Sequence, residues 1–290
     1  EKLIHVKNES LKTEIKNNLI NYIWKNDILP NNIPTKIEKN ISDPRFSSLK
    51  NLNSIDKFTI EMDYGVNSIV YLFNSDNTNN DLIIYHQGHR GDFIEGRKTI
   101  EFFLERNFSV MSFSMPLLGM NSQPIIEHSQ INKIKLESHD QLELLESVEF
   151  SPIKFFIEPI IVSLNFIESN YNFNSIHMVG ISGGGWTTTL TASIDERVKQ
   201  SYSVAGSYPI FLRTDQKNIG DYEQKNPELY SVANYLDLYV MSATGQDRKF
   251  IQIFNKFDPC CFDGTSFTTY ENEIISQVEN FDEGYFKIYL

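Results

Sequence analysis

Short runs of β-branched and aromatic residues alternate with segments of helical periodicity over most of the chain. Two runs within residues 57–74, KFTIEMDYG and NSIVYLFN, have the composition of antiparallel strands joined in a hairpin. Further apolar runs predict strands, and apolar residues spaced three or four positions apart predict helices. The predicted strands lie at 81–86, 108–116, 176–180, 198–207, 249–255 and 285–290, and the predicted helices at 92–107, 151–170, 184–194, 228–243 and 268–278.

Strands that alternate with helices over this length predict an α/β fold, with a mostly parallel sheet of about eight strands and helices on both faces. The first 56 residues have a different pattern, with one amphipathic segment around Glu9–Trp24 followed by a stretch interrupted by prolines. We therefore expect a helical and irregular N-terminal extension, residues 1–56, packed on a main domain of residues 57–290.

Two polar segments, residues 117–150 and 208–227, are longer than a connection between elements requires. Long insertions in compact domains are usually lids or binding loops. Both insertions would follow parallel strands, at the carboxyl ends where open α/β sheets bind ligands. The first insertion contains His128 and His139, and we expect His139 to contact the substrate.

Composition excludes two classes of partner. The 290 residues carry a formal net charge of −12, without a cluster of Lys and Arg interleaved with aromatic residues, so nucleic acid is not an expected ligand. The longest apolar stretch, residues 155–167, contains Glu158 and Pro159 and is shorter than the roughly 20 residues that a bilayer span requires. We expect no transmembrane helix.

The two cysteines, Cys260 and Cys261, are neighbours, which rules out a disulfide framework. Their Cα atoms are about 3.8 Å apart across a trans peptide bond, below the roughly 4.4 Å minimum of ordinary disulfides. We expect reduced thiols, and the alternative is a strained, redox-sensitive bridge.

The stretch IHMVGISGGGWTT, residues 176–188, contains the pattern G-x-S-x-G centred on Ser182. A predicted strand precedes this serine and a predicted helix follows it, as in a nucleophile elbow, where small neighbours allow a tight turn. A phosphate-binding loop is the first alternative, but Trp186 stands where that loop needs its lysine. The second alternative is a glycine turn that only packs a helix closely on a strand.

With this motif, residues 57–290 resemble the α/β-hydrolase family. The resemblance implies that Ser182 is the nucleophile and that the backbone N–H of Gly183 forms one half of the oxyanion hole. The segment YHQGHRGD, residues 85–92, resembles the family's oxyanion loop, with His89 as the expected second donor and Gln87 as a weaker choice. His86, His89 and Asp92 could instead bind a metal, but a catalytic zinc needs three ligands in fixed geometry, so we expect no metal and no cofactor.

The acid of this family follows a later strand. Asp258 comes after the apolar run at residues 249–255 and is the expected carboxylate, with Asp263 as a second choice; Asp247 precedes that run and suits a turn. The alternative for Asp258 is an ordinary Asp-Pro turn.

The catalytic histidine is harder to identify, because the family runs Ser, then Asp or Glu, then His. The six histidines all precede Ser182, and they are His5, His86, His89, His128, His139 and His177. We expect the catalytic histidine in a segment that follows Leu290. The alternatives are a base from the insertion, His139 or His128, and a hydrolase fold without catalysis.

The resemblance therefore implies a serine esterase that forms an acyl-enzyme. The stretch GISGGGWTT and the aromatic residues of the polar loops suggest an acetyl ester of a carbohydrate as substrate, with Trp186 and His139 in contact with it. A serine peptidase and a binding protein that keeps the fold without catalysis are the alternatives.

Overall fold

The computed structural model describes residues 3–128, 132–213 and 219–290. Eight α-helices and eleven strands lie in these ranges, joined by short 3₁₀ segments. The helices are α1 Glu9–Trp24, α2 Arg97–Leu104, α3 Lys154–Asn170, α4 Gly183–Ile194, α5 Tyr222–Lys225, α6 Pro227–Val232, α7 Tyr235–Ala243 and α8 Glu271–Glu279. The strands are β1 Lys36–Glu38, β2 Leu52–Glu61, β3 Asn67–Ser75, β4 Asp81–His86, β5 Ser109–Phe113, β6 Ile125–His128, β7 Asn132–Lys135, β8 Ser175–Ile181, β9 Val198–Val204, β10 Lys249–Ile253 and β11 Phe286–Tyr289.

Nine of the described strands form one sheet, in the order β1-β2-β3-β5-β4-β8-β9-β10-β11. The pairs from β5 to β11 in this order are parallel, and β1, β2 and β3 pair antiparallel at one edge. The predicted fold class is confirmed, but the predicted number of eight strands was too low. The short strand β1 was missed because its three residues lie in a stretch interrupted by prolines.

Helices cover both faces of the sheet, because side chains alternate along each strand. On β5, Val110 packs in a cluster with α2, whereas the next residue, Met111, packs in a cluster with α3 on the other face. The strands of the parallel part are covered on both faces, and their sequences are therefore nearly continuous apolar runs.

One predicted helix, residues 228–243, is in fact two. Helix α6 ends at Val232, and Ala233 has an extended backbone with φ −147°. The side chain of Asn234 then caps α7, accepting a hydrogen bond of 2.8 Å from the N–H of Leu236. A side chain that caps a new helix in this way competes with continuation of the preceding one.

The N-terminal extension contributes α1 and β1, and β2 already begins at Leu52, before the predicted boundary of the main domain. The division into an extension and a main domain remains a prediction. No helix in the described part of the chain has the length and apolar character needed to cross a membrane.

The described parts of the two insertions contact one another. The first contains the hairpin of β6 and β7 and a 3₁₀ helix, His139–Leu145, which packs against α5 of the second. Lys225 of α5 donates to Asp140 at 3.0 Å, and Asn226 donates to Glu146 at 3.1 Å. Residues 129–131 and 214–218 of these insertions lie outside the described residues.

Candidate active site

Ser182 stands at the sharp turn between β8 and α4. Its backbone has φ 54° and ψ −125°, a positive φ that costs a non-glycine residue about 1–3 kcal/mol and is typical of functional positions. The N–H of Ser182 donates to the carbonyl of Val204 at 2.9 Å, which ties the turn to β9. The turn has the geometry of a nucleophile elbow, with the serine between strand and helix.

Glycines allow the loop after β4 to pass directly beside this turn. A Cβ atom on Gly88 would lie 2.6 Å from the carbonyl oxygen of Ile181 and 2.7 Å from Ser182 Cβ. Real Cβ atoms do not make contacts this short, so a larger residue at position 88 would push the loop away from the serine. The predicted oxyanion loop is therefore adjacent to the predicted nucleophile.

The two backbone donors of the predicted oxyanion hole differ in how well the geometry supports them. Gly183 is the first residue of α4, and the first N–H groups of a helix have no acceptor within it. Gln87 is unsuitable, because its N–H donates to the carbonyl of Phe113 at 2.9 Å. His89 remains the predicted second donor.

Asp258 and Ser182 line the same cavity, which has a volume of about 340 Å³. Asp258 Oδ1 accepts hydrogen bonds from the N–H groups of Cys260 at 2.7 Å and Cys261 at 3.2 Å. These bonds orient the carboxylate, and within the described ranges Oδ2 makes no further hydrogen bond, so it could accept one from an imidazole. Asp263 is exposed and does not line this cavity, and Asp247 lies in the turn before β10.

Cys260 and Cys261 form part of the cavity wall, and a disulfide bond joins their sulfur atoms. The expectation of reduced thiols is not met, and the alternative of a bridge between neighbours is the arrangement observed. The same turn supplies the two N–H groups that hold Asp258.

No histidine in the described part of the chain contacts Asp258. His86 is buried, and its Nδ1 donates to the carbonyl of Gln87 at 2.8 Å. Burial lowers the pKa of His86 to about 4, so its ring is neutral. Three further histidines lie outside the cavity: His5, which pairs with Asp237, His128 at the end of β6, and His177 in β8.

His89 and His139 meet two carboxylates that the sequence reasoning missed. His89 Nε2 lies 2.9 Å from Asp221 Oδ2, 3.0 Å from Glu223 Oε1 and 3.1 Å from His139 Nδ1. We call these four side chains the His-carboxylate cluster. The available signal was the acidic pair at positions 221 and 223 in an insertion already expected to reach the carboxyl ends of the strands.

The imidazoles and carboxylates of the His-carboxylate cluster stabilise each other's charged forms. Burial alone would lower the pKa of His89, but hydrogen bonds from its ring to Asp221 and Glu223 raise that pKa to about 10. Burial would raise the pKa of Glu223, but His139 and His89 hold it below its ordinary value. The alternative metal group of His86, His89 and Asp92 is not seen among the described residues, where His89 groups with His139, Asp221 and Glu223 and Asp92 caps the 3₁₀ helix Phe93–Gly96.

His139 does not reach the Ser182 cavity, although it was predicted to bind substrate. It is 4% exposed, and its Nε2 lies 2.9 Å from the carbonyl oxygen of Pro116. The cavity-lining residues do not include it. Its ring connects the first insertion to His89 instead.

Trp186, also predicted to bind substrate, lies in the core of the protein. Its side chain is 1% exposed, packs edge-on against Phe156, and donates from Nε1 to the hydroxyl of Tyr230 at 2.7 Å. Helix α4 is buried along its whole length, and Trp186 does not line the Ser182 cavity.

Replacing Trp186 with Phe should lower the free energy of unfolding by about 1–3 kcal/mol, since the hydrogen bond to Tyr230 is lost and the smaller ring leaves a void. Urea unfolding followed by circular dichroism measures this change. The KM for an ester substrate should stay the same. A raised KM with unchanged stability would instead indicate that Trp186 contacts the substrate.

No protein-family model matches the sequence, and neither does any curated protein. Solved structures do match. An acetyl xylan esterase from Paenibacillus sp. R4 is similar with a TM-score of 0.63 at 15% identity, over 98% of this chain and 89% of the other. Acetyl xylan esterase 1 from Thermoanaerobacterium sp. is similar with a TM-score of 0.63 at 14% identity, over 96% of this chain and 86% of the other.

A third structure, an esterase of Pyrococcus furiosus, is similar with a TM-score of 0.54 at 14% identity, over 89% of each chain. At these identities the similarity concerns the fold. In each case it extends over most of both chains. The chain has the α/β-hydrolase fold of these esterases.

Proposed function

We propose that the protein is a serine hydrolase that cleaves carboxylic esters through an acyl-enzyme. The observation that carries the proposal is the strained backbone of Ser182, at φ 54°, facing a cavity that Asp258 also lines. A serine that only joined a strand to a helix would have no need of positive φ or of an oriented carboxylate across a cavity.

Each group has a distinct role in the proposed reaction. Ser182 Oγ attacks the ester carbonyl carbon while an imidazole takes the hydroxyl proton, and the N–H groups of Gly183 and His89 bind the developing oxyanion. The imidazole then gives its proton to the leaving alcohol. Water attacks the acyl-enzyme in the same way, and the carboxylic acid is released.

Asp258 orients the imidazole and stabilises its charged form. Its Oδ1 is held by two backbone N–H groups, so Oδ2 is the oxygen that would accept from the imidazole. In the family that the sequence resembles, the imidazole follows the acid along the chain. The reaction requires such an imidazole between Ser182 Oγ and Asp258 Oδ2.

An acetyl ester of a carbohydrate is the proposed substrate. Two of the similar solved structures are acetyl xylan esterases by name. The cavity wall beside Ser182 is apolar at Ile181, Ala205 and Phe262, which suits a small acyl group. Phe257, next to Asp258, is 81% exposed and offers a flat ring on which a sugar could stack.

Covalent labelling tests the proposed nucleophile. The purified protein is incubated with a fluorophosphonate, and the intact mass is compared with that of the Ser182→Ala variant. We expect one adduct on the protein and none on the variant, because only a serine activated by a base reacts rapidly. A protein that stays unlabelled would support the alternative, a hydrolase fold that binds without catalysis.

The substrate class is tested separately by acetate release from acetylated xylo-oligosaccharides, compared with hydrolysis of a matched anilide. We expect release of acetate and no cleavage of the anilide. Faster cleavage of the anilide would favour a peptidase, and labelling of Ser182 without acetate release would keep the hydrolase but refute the carbohydrate substrate.

A further inference from the structure

The His-carboxylate cluster joins three segments that are far apart in the chain. His89 comes from the loop after β4, His139 from the first insertion, and Asp221 and Glu223 from the second. The sequence separations are 50 residues between His89 and His139 and 134 between His89 and Glu223. One ligand atom from each of the four residues lies within 4.8 Å of all the others. No residue of the proposed triad belongs to this cluster, but the backbone N–H of His89 is the proposed second oxyanion donor.

The spacing of these atoms resembles that around a small cation. The three distances from His89 Nε2 are 2.9, 3.0 and 3.1 Å, and His139 Nδ1 lies 3.3 Å from Glu223 Oε2. Ligands at the usual 2.0–2.2 Å from a tetrahedral zinc ion are separated by about 3.3–3.6 Å. To reach this separation the short distances would open by about 0.3–0.5 Å, and pairs as wide as 4.8 Å would close by about 1.4 Å.

One ring nitrogen faces several ligand atoms at once. The Nε2 of His139 lies 2.9 Å from the carbonyl oxygen of Pro116, which can only accept, so this bond uses Nε2 and directs Nδ1 into the cluster. His89 Nε2 carries at most one hydrogen, yet two carboxylate oxygens and His139 Nδ1 lie within 3.1 Å of it. One hydrogen cannot satisfy both carboxylate oxygens fully.

Glu223 adds an independent sign of a missing partner. Its side chain is fully buried, and Oε2 accepts no hydrogen bond from any described residue. Its other oxygen, Oε1, lies 3.0 Å from His89 Nε2, and a buried carboxylate oxygen that accepts no hydrogen bond is costly. Glu223 Oε2 faces the other members of the cluster and lies 3.3 Å from His139 Nδ1.

We propose that the His-carboxylate cluster binds one divalent cation of the zinc type, through one nitrogen each of His89 and His139 and one oxygen each of Asp221 and Glu223. Two imidazoles among four ligands favour zinc over calcium or magnesium, which prefer oxygen donors. The bond from His139 to the Pro116 carbonyl is the outer contact that metal-bound histidines usually make.

The cation would tie both insertions to the loop that carries residues 87–90. This loop packs against Ser182 through Gly88, and the His89 ring contacts Gly183, where an added Cβ would lie 2.7 Å from Nδ1. The bound ion would thereby hold the segment beside the nucleophile in one position. Four protein ligands leave no open coordination position, so the role is structural.

Metal binding is tested on the whole protein after dialysis against a chelator. Titration calorimetry with Zn²⁺ should show one equivalent bound, and Co²⁺ should give the intense visible absorption of a tetrahedral site. Zn²⁺ should also raise the melting temperature, because a ligand that binds only the folded state stabilises it. None of these measurements depends on esterase activity.

Variants decide whether the bound ion lies in this cluster. Asp221→Asn and Glu223→Gln keep the size of each side chain, and the side chain of Asp221 is 46% exposed, so folding should tolerate its change. Each should weaken Zn²⁺ binding by more than the 10- to 100-fold that loss of an outer-shell partner costs. Asp140→Asn, in the same region but outside the cluster, is the matched control and should bind like the unchanged protein.

Two results would overturn the proposal. Absence of Zn²⁺ and Co²⁺ binding by the chelator-treated protein would mean that the cluster is a hydrogen-bonded ion network without a metal. Equal affinity in the unchanged protein and both folded cluster variants would mean that the ion binds elsewhere.

Discussion

The Ser182→Ala variant is expected to lose about 10⁴- to 10⁶-fold in kcat for ester hydrolysis. Removing the serine of a hydrolase triad removes the covalent route, and the oxyanion hole and substrate binding alone support only slow attack by water. Initial rates with p-nitrophenyl acetate measure the loss. The positive φ of position 182 is unchanged by the substitution, so stability should stay within about 0.5 kcal/mol.

Ser231→Ala is the matched control for this prediction. Ser231 is exposed on α6, where its hydroxyl donates to the carbonyl of Glu228 at 2.7 Å, far along the chain from the elbow. Its rate should equal that of the unchanged protein. If Ser182→Ala kept more than about a tenth of the original kcat while Ser231→Ala was fully active, Ser182 would not be the nucleophile.

The second large effect is expected from Asp258→Asn, with a fall in kcat of about 10⁴-fold. An amide in place of the carboxylate favours the wrong imidazole tautomer and removes the charge that stabilises the imidazolium. The Asn oxygen can still accept from the N–H groups of Cys260 and Cys261, so the turn should keep its conformation. Steady-state kinetics should show the loss in kcat with little change in KM.

Asp263→Asn separates this effect from a general change of charge in the loop. Asp263 was the second choice for the acid, but it is exposed and does not line the Ser182 cavity. We expect its variant to retain full activity. A large loss in Asp263→Asn with an active Asp258→Asn would exchange the two assignments.

Local patterns predicted most of the elements well. Helix α1 was expected around Glu9–Trp24 and has those bounds, with Asn8 capping its first turn through the N–H of Leu11. The elbow was predictable for the same reason, since the strand, the glycines and the helix are consecutive in sequence. Contacts between near neighbours determine these features, and they leave a readable pattern.

Burial of individual side chains was less predictable. Trp186 follows the nucleophile closely, which suggested the substrate site, but the side of α4 on which it lies is packed against Phe156 and Tyr230. Sequence position specifies the helix, whereas the elements packed around that helix decide that all of its residues are buried. An aromatic residue therefore has the same local signature in a core and in a binding site.

The sequence by itself determined the α/β architecture, the strained serine turn and the place of Asp258 after a parallel strand, because each depends on residues that are neighbours in the chain. Only the tertiary structure decided that His89, His139, Asp221 and Glu223 meet, and that Gln87 has no free N–H for the oxyanion. Folding brought three distant segments together at the carboxyl edge of one sheet, and no local pattern records that contact.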